Sequence, residues 1–312
     1  MPLFSVIMPC WNAQKTIADT IESVLCQSFG DFELIIVDDG STDDTSNIVA
    51  RYASVDRRVR VVELENGGPS RARNIAAFVY ATGSLLAFLD SDDIWAPEKL
   101  LRMAETFRRR GAADAVYARI AFFRNTIDVV ETESTPMGGP LTAGDLIREN
   151  AVCTMSNIVV RADIFEQSGG FDTSLKYGED MEWLIRLVGQ GARIEAVDER
   201  LVYYRACDHG LSADLSSMEA NWKASVATAL AHDPRIGASD VRKAEAVHLR
   251  YLARRALRLK TPPLAALGLA LRGAGRSPSA FFENPRRGVM TLMAALANPL
   301  MPSAVRRMVF YR

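Results

Sequence analysis

The amino-acid sequence predicts an α/β fold in which a mostly parallel, Rossmann-like central sheet is covered by helices. Two observations carry this prediction. Short apolar runs alternate with stretches of helical periodicity through the first half of the chain, which is the pattern of successive β-α-β units. The composition, 48% hydrophobic and 24% charged over 312 residues, is that of a globular protein and excludes disordered or fibrous architectures for the whole chain.

Four buried strands are predicted in the first part of the chain, at Phe4–Met8, Leu34–Val37, Arg60–Leu64 and Leu85–Leu89. Helices are predicted after them. The first would be capped by Asn12 and would bury Ile17 and Ile21, and the others are expected near Thr45–Ala53, Ser70–Ala81 and Pro97–Arg109.

The middle of the chain is predicted to be mixed, with strands near 116–123, 157–160, 194–197 and 201–204 and a helix over 180–189. After Ser216 helical periodicity takes over, over 218–232 and 239–259. The sequence therefore predicts a sheet domain at 1–216 and a basic, mainly helical C-terminal region at 217–312.

The formal net charge of −1 hides an asymmetry. Residues 241–312 contain 14 Lys/Arg and 2 Asp/Glu, a net charge of +12, so residues 1–240 carry −13. Within the basic part, five arginines lie beside leucines or valines: Arg254, Arg255, Arg258, Arg306 and Arg307. This arrangement suits a helix on an anionic membrane surface, and pairing with the acidic part of the chain is the alternative.

The sequence also predicts where the protein works. Its four cysteines lack zinc or redox spacing and indicate reduced thiols in the cytosol. The apolar first residues lack a basic leader, so no signal peptide is expected, and no apolar run reaches the roughly 20 residues of a membrane-spanning helix. We expect a cytoplasmic protein, peripheral at most on the inner face of the plasma membrane, without a nucleic-acid partner.

Polar residues follow the predicted strands, where a parallel sheet places its ligand crevice. Asp38 and Asp39 follow the second strand and could accept hydrogen bonds from a ribose or a base, or one of them could cap the next helix. Asp90, Asp92 and Asp93 follow the fourth strand. Carboxylates this close repel one another, which favours a divalent cation shared with a diphosphate; a solvated acidic turn is the alternative.

Two further stretches carry chemistry. The Gly67-Gly68 turn leads into a helix start with Arg71 and Arg73, which would suit a phosphate; a plain turn with solvent-facing arginines is the alternative. Glu179 and Asp180 begin another predicted helix. Acids there are favoured by the helix dipole alone, but one could also be a general base.

Five stretches, in order and spacing, resemble the inverting nucleotide-sugar glycosyltransferases of family 2, which have the GT-A fold: Val6–Asn12, Val37–Thr42, Gly68–Asn74, Leu89–Asp93 and Gly178–Asp180. The resemblance runs from about Phe4 to Ser212. It implies an enzyme of cell-envelope polysaccharide biosynthesis that moves a sugar from a nucleoside diphosphate, expected to be UDP, to a hydroxyl of a glycan or lipid-linked acceptor. It also implies a divalent metal, Mn²⁺ or Mg²⁺.

The resemblance further implies a role for each matched residue. The nucleotide site would comprise Pro9, Trp11, Asn12, Asp39, Arg73 and Asp90. Asp92 would be the main metal ligand and Asp180 the base that deprotonates the acceptor. Glu179 and Trp183 would shape the acceptor pocket, with a core position as the alternative for the tryptophan. Relatives place a histidine near the metal after the last core strand, and His209 either takes this role or is a surface residue.

Two other functions are compatible with parts of the sequence. A sugar nucleotidyltransferase also needs a parallel sheet, acids and a metal, but would carry a glycine-rich loop after the first strand, where Pro9–Asn12 stands. A non-catalytic nucleotide-sugar-binding or scaffold protein has no need of Asp90, Asp92 and Asp180 together. A dehydrogenase is disfavoured because its glycine fingerprint is missing.

Overall fold

The computed structural model describes residues 1–109, 111, 113–175, 178–206, 214–259 and 261–310. The chain forms two compact units. The first comprises Met1–Leu141 with Ala151–Cys207, and the second comprises Thr142–Asn150 with Asp208–Arg312. The sequence did not indicate that a short segment interrupting the first unit belongs to the second. The domain boundary after residue 216 stays a prediction.

Among the described residues, the first unit contains one nine-stranded sheet. Its strands lie in the order β3 (Val59–Glu63), β2 (Phe32–Asp38), β1 (Phe4–Cys10), β4 (Leu85–Phe88), β8 (Val159–Arg161), β6 (Ala115–Phe123), β9 (Ile194–Arg205) and β5 (Ile94–Trp95), with β7 (Val130–Glu133) paired to β6. β1 runs parallel to β2 and β4, and β2 parallel to β3. Every residue of β1 is buried, as expected for a strand covered on both faces. The predicted α/β fold is confirmed.

The other half of the sheet is mixed. β8 is antiparallel to β4 and β6, and β5 and β7 are antiparallel to their neighbours. The two strands predicted at 194–197 and 201–204 are one strand, β9, whose register against β6 shifts on either side of Arg119. The sequence predicted two strands because three consecutive polar residues, beginning at Asp198, interrupt the apolar pattern of β9.

The helices of the first unit are α1 (Ile17–Leu25), α2 (Thr45–Val55), α3 (Pro69–Ile75), α4 (Lys99–Arg109), α6 (Ala162–Ser168) and α7 (Glu179–Gly189). α3 continues as a π-helical turn, Ala76–Tyr80, so the two together occupy most of the helix predicted there. Asn12 does not cap α1: the N-cap is Thr16, and Asn12 has a left-handed backbone with φ of 51°.

The second unit is helical, with α5 (Ala143–Arg148), α8 (Leu215–His232), α9 (Ala238–Arg258), α10 (Pro263–Arg276), α11 (Pro278–Phe281), α12 (Pro285–Ala297) and α13 (Ser303–Phe310). α9 packs against α5, α8, α10, α11 and α12. Its apolar side is buried at Leu252, Ala253, Ala256 and Leu257. The prediction that the helix carrying Arg254, Arg255 and Arg258 lies on a membrane is therefore wrong, because its leucines form the core of this unit.

Part of the basic charge is neutralised inside the second unit. Ion pairs join Arg148 and Arg250 to Glu283, Arg272 to Glu219, Arg276 to Glu245 and Arg287 to Glu149. In the described part of the chain, no helix combines the length and apolarity needed to cross a membrane.

Candidate active site

The loops that follow β1, β2 and β4 meet at one edge of the sheet. Asn12 donates its backbone N–H to the Ser41 hydroxyl at 3.0 Å and accepts from the Thr42 N–H at 2.7 Å. The Thr16 hydroxyl donates to the Ser91 carbonyl at 2.9 Å. Trp11 is 58% exposed in this region, whereas Pro9 is buried at the end of β1.

The two acids after β2 have different partners. Asp38 accepts from the Ser41 N–H at 2.9 Å and from the Ser46 hydroxyl, so it fixes the start of α2. Asp39 reaches across to the loop after β3, where its two oxygens accept from the N–H groups of Gly67 and Gly68 at 2.9 and 2.7 Å. Gly68 has a φ of 87°, which favours glycine. Asp39 therefore stabilises the glycine turn. A nucleotide that bonds to Asp39 would use a carboxylate that already accepts from these two N–H groups.

The three acids after β4 differ in environment. Asp90 accepts from Arg73 at 2.6 Å and from the Thr154 hydroxyl at 3.1 Å. Asp93 is buried and accepts from the Ser156 hydroxyl at 2.6 Å and from the backbone N–H of Arg205 at 2.9 Å. Asp92 is only partly buried, and burial together with the charge of Asp90 raises its pKa to about 6. A cation near Asp92 would favour the charged form of its carboxylate.

Arg73 joins two motifs that lie far apart in the sequence. Its guanidinium donates to Asp90 at 2.6 Å and to Glu179 at 3.2 Å, and the residue is 4% exposed. Burial opposes its charge, but the two carboxylates outweigh it and raise the pKa of Arg73 above its usual value. The two ion pairs hold the guanidinium in place between Asp90 and Glu179, so the structure gives Arg73 a positioning geometry, and its contact with the nucleotide stays a prediction.

Asp180 lies in the first turn of α7, next to this arginine network. Gly178, with a φ of 76°, sets the turn that begins the helix. Burial and the neighbouring charge of Glu179 raise the pKa of Asp180 to about 6, against the lowering effects of the Met181 N–H and of Arg73. A carboxylate with a raised pKa accepts a proton more readily.

Trp183 belongs to the core. Its side chain is 0% exposed, its indole N–H donates to the Ser168 hydroxyl at 3.0 Å, and its ring contacts those of Phe88, Phe165 and Phe171. The stacking of Trp183 on an acceptor sugar is therefore contradicted, because a fully enclosed ring presents no face to a ligand.

Two hydroxyl residues that the sequence did not single out support the acids. Thr154 and Ser156 lie just before β8. Besides their bonds to Asp90 and Asp93, the Ser156 oxygen accepts from the backbone N–H of Asp90 at 3.0 Å. Ser156 is 0% exposed, so these bonds form out of reach of water. A pair of small polar residues in an otherwise apolar, strand-forming stretch was the only sequence signal.

We expect the Ser156→Ala variant to lose about 2 kcal/mol of unfolding free energy, because a buried N–H and a buried carboxylate each lose a partner. Urea denaturation measures this loss. The Ser54→Ala variant is the matched control, since that exposed hydroxyl bonds to the Arg51 carbonyl, and it should change stability by less than about 0.5 kcal/mol. Equal losses in both variants would show that Ser156 does not support the acid cluster.

The acids fit a divalent cation that takes most of its ligands from a substrate. In the described ranges no cluster of three His, Cys, Asp or Glu residues is suited to hold a metal. Mg²⁺-type sites commonly use one or two carboxylates together with phosphate oxygens, and Asp92, with a raised pKa beside Asp90, would be such a carboxylate. His209, predicted as a further ligand, lies outside the described residues.

A mixed sheet with acids and an arginine network near the carboxyl edge of its parallel strands is the arrangement that the resemblance to GT-A glycosyltransferases predicts. A model of glycosyl transferase family 2 matches residues 5–169, more than half of the chain. The chain belongs to this family, and both the predicted family and the predicted enzyme class are confirmed.

Known proteins agree with this assignment. The chain is 33% identical to the putative teichuronic acid biosynthesis glycosyltransferase TuaG of Bacillus subtilis (strain 168) over 73% of this chain and 86% of TuaG. It is 28% identical to WfaP of Escherichia coli, a UDP-Glc:alpha-D-GlcNAc-diphosphoundecaprenol beta-1,3-glucosyltransferase, over 69% and 81% of the two chains. The fold matches S. aureus TarS 1-349 in complex with UDP-GlcNAc, with a TM-score of 0.58, 21% identity and coverage of 98% and 85%.

Proposed function

We propose that this glycosyltransferase moves a sugar from a UDP-sugar to a hydroxyl of a lipid-linked glycan, with inversion of the anomeric configuration and with Asp180 as the base. The single observation that carries the proposal is the chain of contacts from Asp90 through Arg73 to Glu179. This chain of contacts brings the start of α7, which carries Asp180, next to Asp90, and it supports the proposal that the base acts beside the donor site. The UDP-sugar donor and diphosphoundecaprenol acceptor in the name of WfaP support the choice of substrates.

The chemistry follows from the charges of the site. Asp180 would take the proton of the acceptor hydroxyl while the oxygen attacks the anomeric carbon from the face opposite the diphosphate, so one displacement suffices and no covalent intermediate is needed. Arg73 would keep Asp90 and Glu179 in place. A divalent cation held by Asp92 and Asp90 would neutralise the charge that develops on the diphosphate.

The nucleotide would lie over the loops after β1 and β2. Trp11, exposed at the edge of this region, would pack against the base, next to the main chain of Pro9. Asn12 would hold these loops together through Ser41 and Thr42, and Asp39 would share its carboxylate between the glycine turn and the ribose or base. The proposal places the enzyme in the cytoplasm at the inner face of the membrane.

A donor panel tests the proposal. With Mn²⁺ and a short water-soluble analogue of a lipid-linked glycan as acceptor, we expect release of nucleoside diphosphate from a UDP-sugar but not from the matching GDP- or dTDP-sugar. Release should require the acceptor. Nucleotide-sugar binding without turnover for every donor and acceptor pair would contradict the proposal and favour a non-catalytic binding protein.

A further inference from the structure

Helix α12 of the second unit has apolar residues on the side that faces solvent. The side chains of Val289, Met290, Met293 and Leu296 are 45%, 62%, 61% and 49% exposed. The opposite side of the helix is buried at Gly288, Thr291 and Ala295. A surface helix ordinarily carries polar residues on its outer side, so this exposed apolar row requires an explanation other than packing within the chain.

The segment that carries this row is basic in sequence. Residues 284–312 contain five arginines and neither Asp nor Glu. Arg286 is exposed in the first turn of α12, and Leu300, shortly after the helix, is 85% exposed. Arg287 in the same turn forms an ion pair with Glu149, so the positive charge next to the row is that of the exposed Arg286. The exposed apolar side chains therefore lie on a helix whose first turn carries an exposed, positively charged Arg286.

We infer that the outer face of α12, formed by Val289, Met290, Met293 and Leu296, docks onto the surface of a bilayer that contains anionic lipid. Methionine and leucine side chains can enter the boundary between headgroups and acyl chains while Arg286, in the first turn of the helix, meets an anionic headgroup. A second copy of the chain is a poorer occupant, because it would bring the like-charged Arg286 of both copies to that face.

This inference rests on the proposed function and deepens it. An acceptor on a lipid anchor is confined to the membrane surface, and docking through α12 would raise its effective concentration at the enzyme. The inference also assigns the membrane contact to α12 instead of α9, because the leucines of α9 are buried. The Arg307 side chain, which the sequence assigned to the membrane-facing group, lies outside the described residues.

Vesicle flotation tests the inference on the full chain. The probes are phosphatidylcholine vesicles with about one-third phosphatidylglycerol, and vesicles of phosphatidylcholine alone. We expect the wild type to float with the anionic vesicles at low salt. The double variant Met290→Ser, Met293→Ser should partition about tenfold less. The control variant Val55→Ser, Val79→Ser, which changes residues that are 81% and 67% exposed in the first unit, should float as the wild type does.

Other results would overturn the inference. These are equal flotation of wild type and α12 variant, equal binding to the two kinds of vesicle, or a wild-type dimer in light scattering that the α12 variant abolishes. Thermal unfolding at an unchanged temperature shows that the variant is folded, as expected for exposed positions. Transfer to the water-soluble acceptor reports on the proposed function separately, because it requires no membrane, and the α12 variant should retain it.

Discussion

Replacing Asp180 by asparagine should reduce sugar transfer by about 10²- to 10⁴-fold, the usual contribution of a general base. Asparagine has nearly the same shape but cannot take a proton from the acceptor hydroxyl. Donor binding should stay unchanged, because the acids proposed to face the nucleotide and metal, Asp90 and Asp92, are intact. Turnover with the donor panel measures the first effect, and calorimetric titration with UDP measures the second.

A matched control and a pH profile sharpen this prediction. The Asp172→Asn variant removes an exposed carboxylate that bonds to Ser174, shortly before α7, and should leave turnover unchanged. In the wild type, burial and Glu179 raise the pKa of Asp180 to about 6, so kcat/KM for the acceptor should fall about tenfold per pH unit below that value as the base becomes protonated. If Asp180→Asn loses UDP binding instead, the residue belongs to the nucleotide site.

Replacing Arg73 by methionine should cost about 3 kcal/mol of unfolding free energy and most of the activity. Removing one partner of a buried ion pair leaves uncompensated charge, and here two carboxylates lose their cation. We take the lower end of the usual range because the side chains of Asp90 and Glu179 are 29% and 15% exposed. The melting temperature should fall by about 6 to 12 °C, which differential scanning calorimetry measures.

A control variant for Arg73→Met is available in the same helix. Arg71 lies two residues earlier and bonds to the Glu65 carbonyl, so Arg71→Met should change stability by less than about 0.5 kcal/mol. A loss of the same size in Arg71→Met would show that the deficit of Arg73→Met does not come from its two ion pairs.

The sequence predicted the half of the sheet that depends on local pattern. β1, β2 and β4 are continuous apolar runs bounded by polar residues, and parallel pairing then places the acids that follow them at one edge. It was wrong about β9 because its polar middle interrupts the apolar pattern. It missed β5, which has two residues and is defined by pairing with β9 rather than by composition.

The predicted site depended on contacts that no local pattern encodes. Asp90 and Asp180 could be placed near the crevice from strand ends and a helix start, but the partners of Arg73 lie 17 and 106 residues away along the chain. Ser156 bonds to Asp93 across 63 residues, and a single serine gives no signal of that. Trp183 occupies a helix position that would look the same in a sugar site or in a core, and only its burial distinguished them.

The most direct test of the central claim is the anomeric configuration of the product formed with the UDP-sugar identified by the donor panel. Proton NMR of the purified product reports the configuration of the new linkage from the coupling constant of the anomeric proton. A single displacement with Asp180 as the base predicts a linkage opposite in configuration to that of the donor. A product that keeps the configuration of the donor would contradict the account.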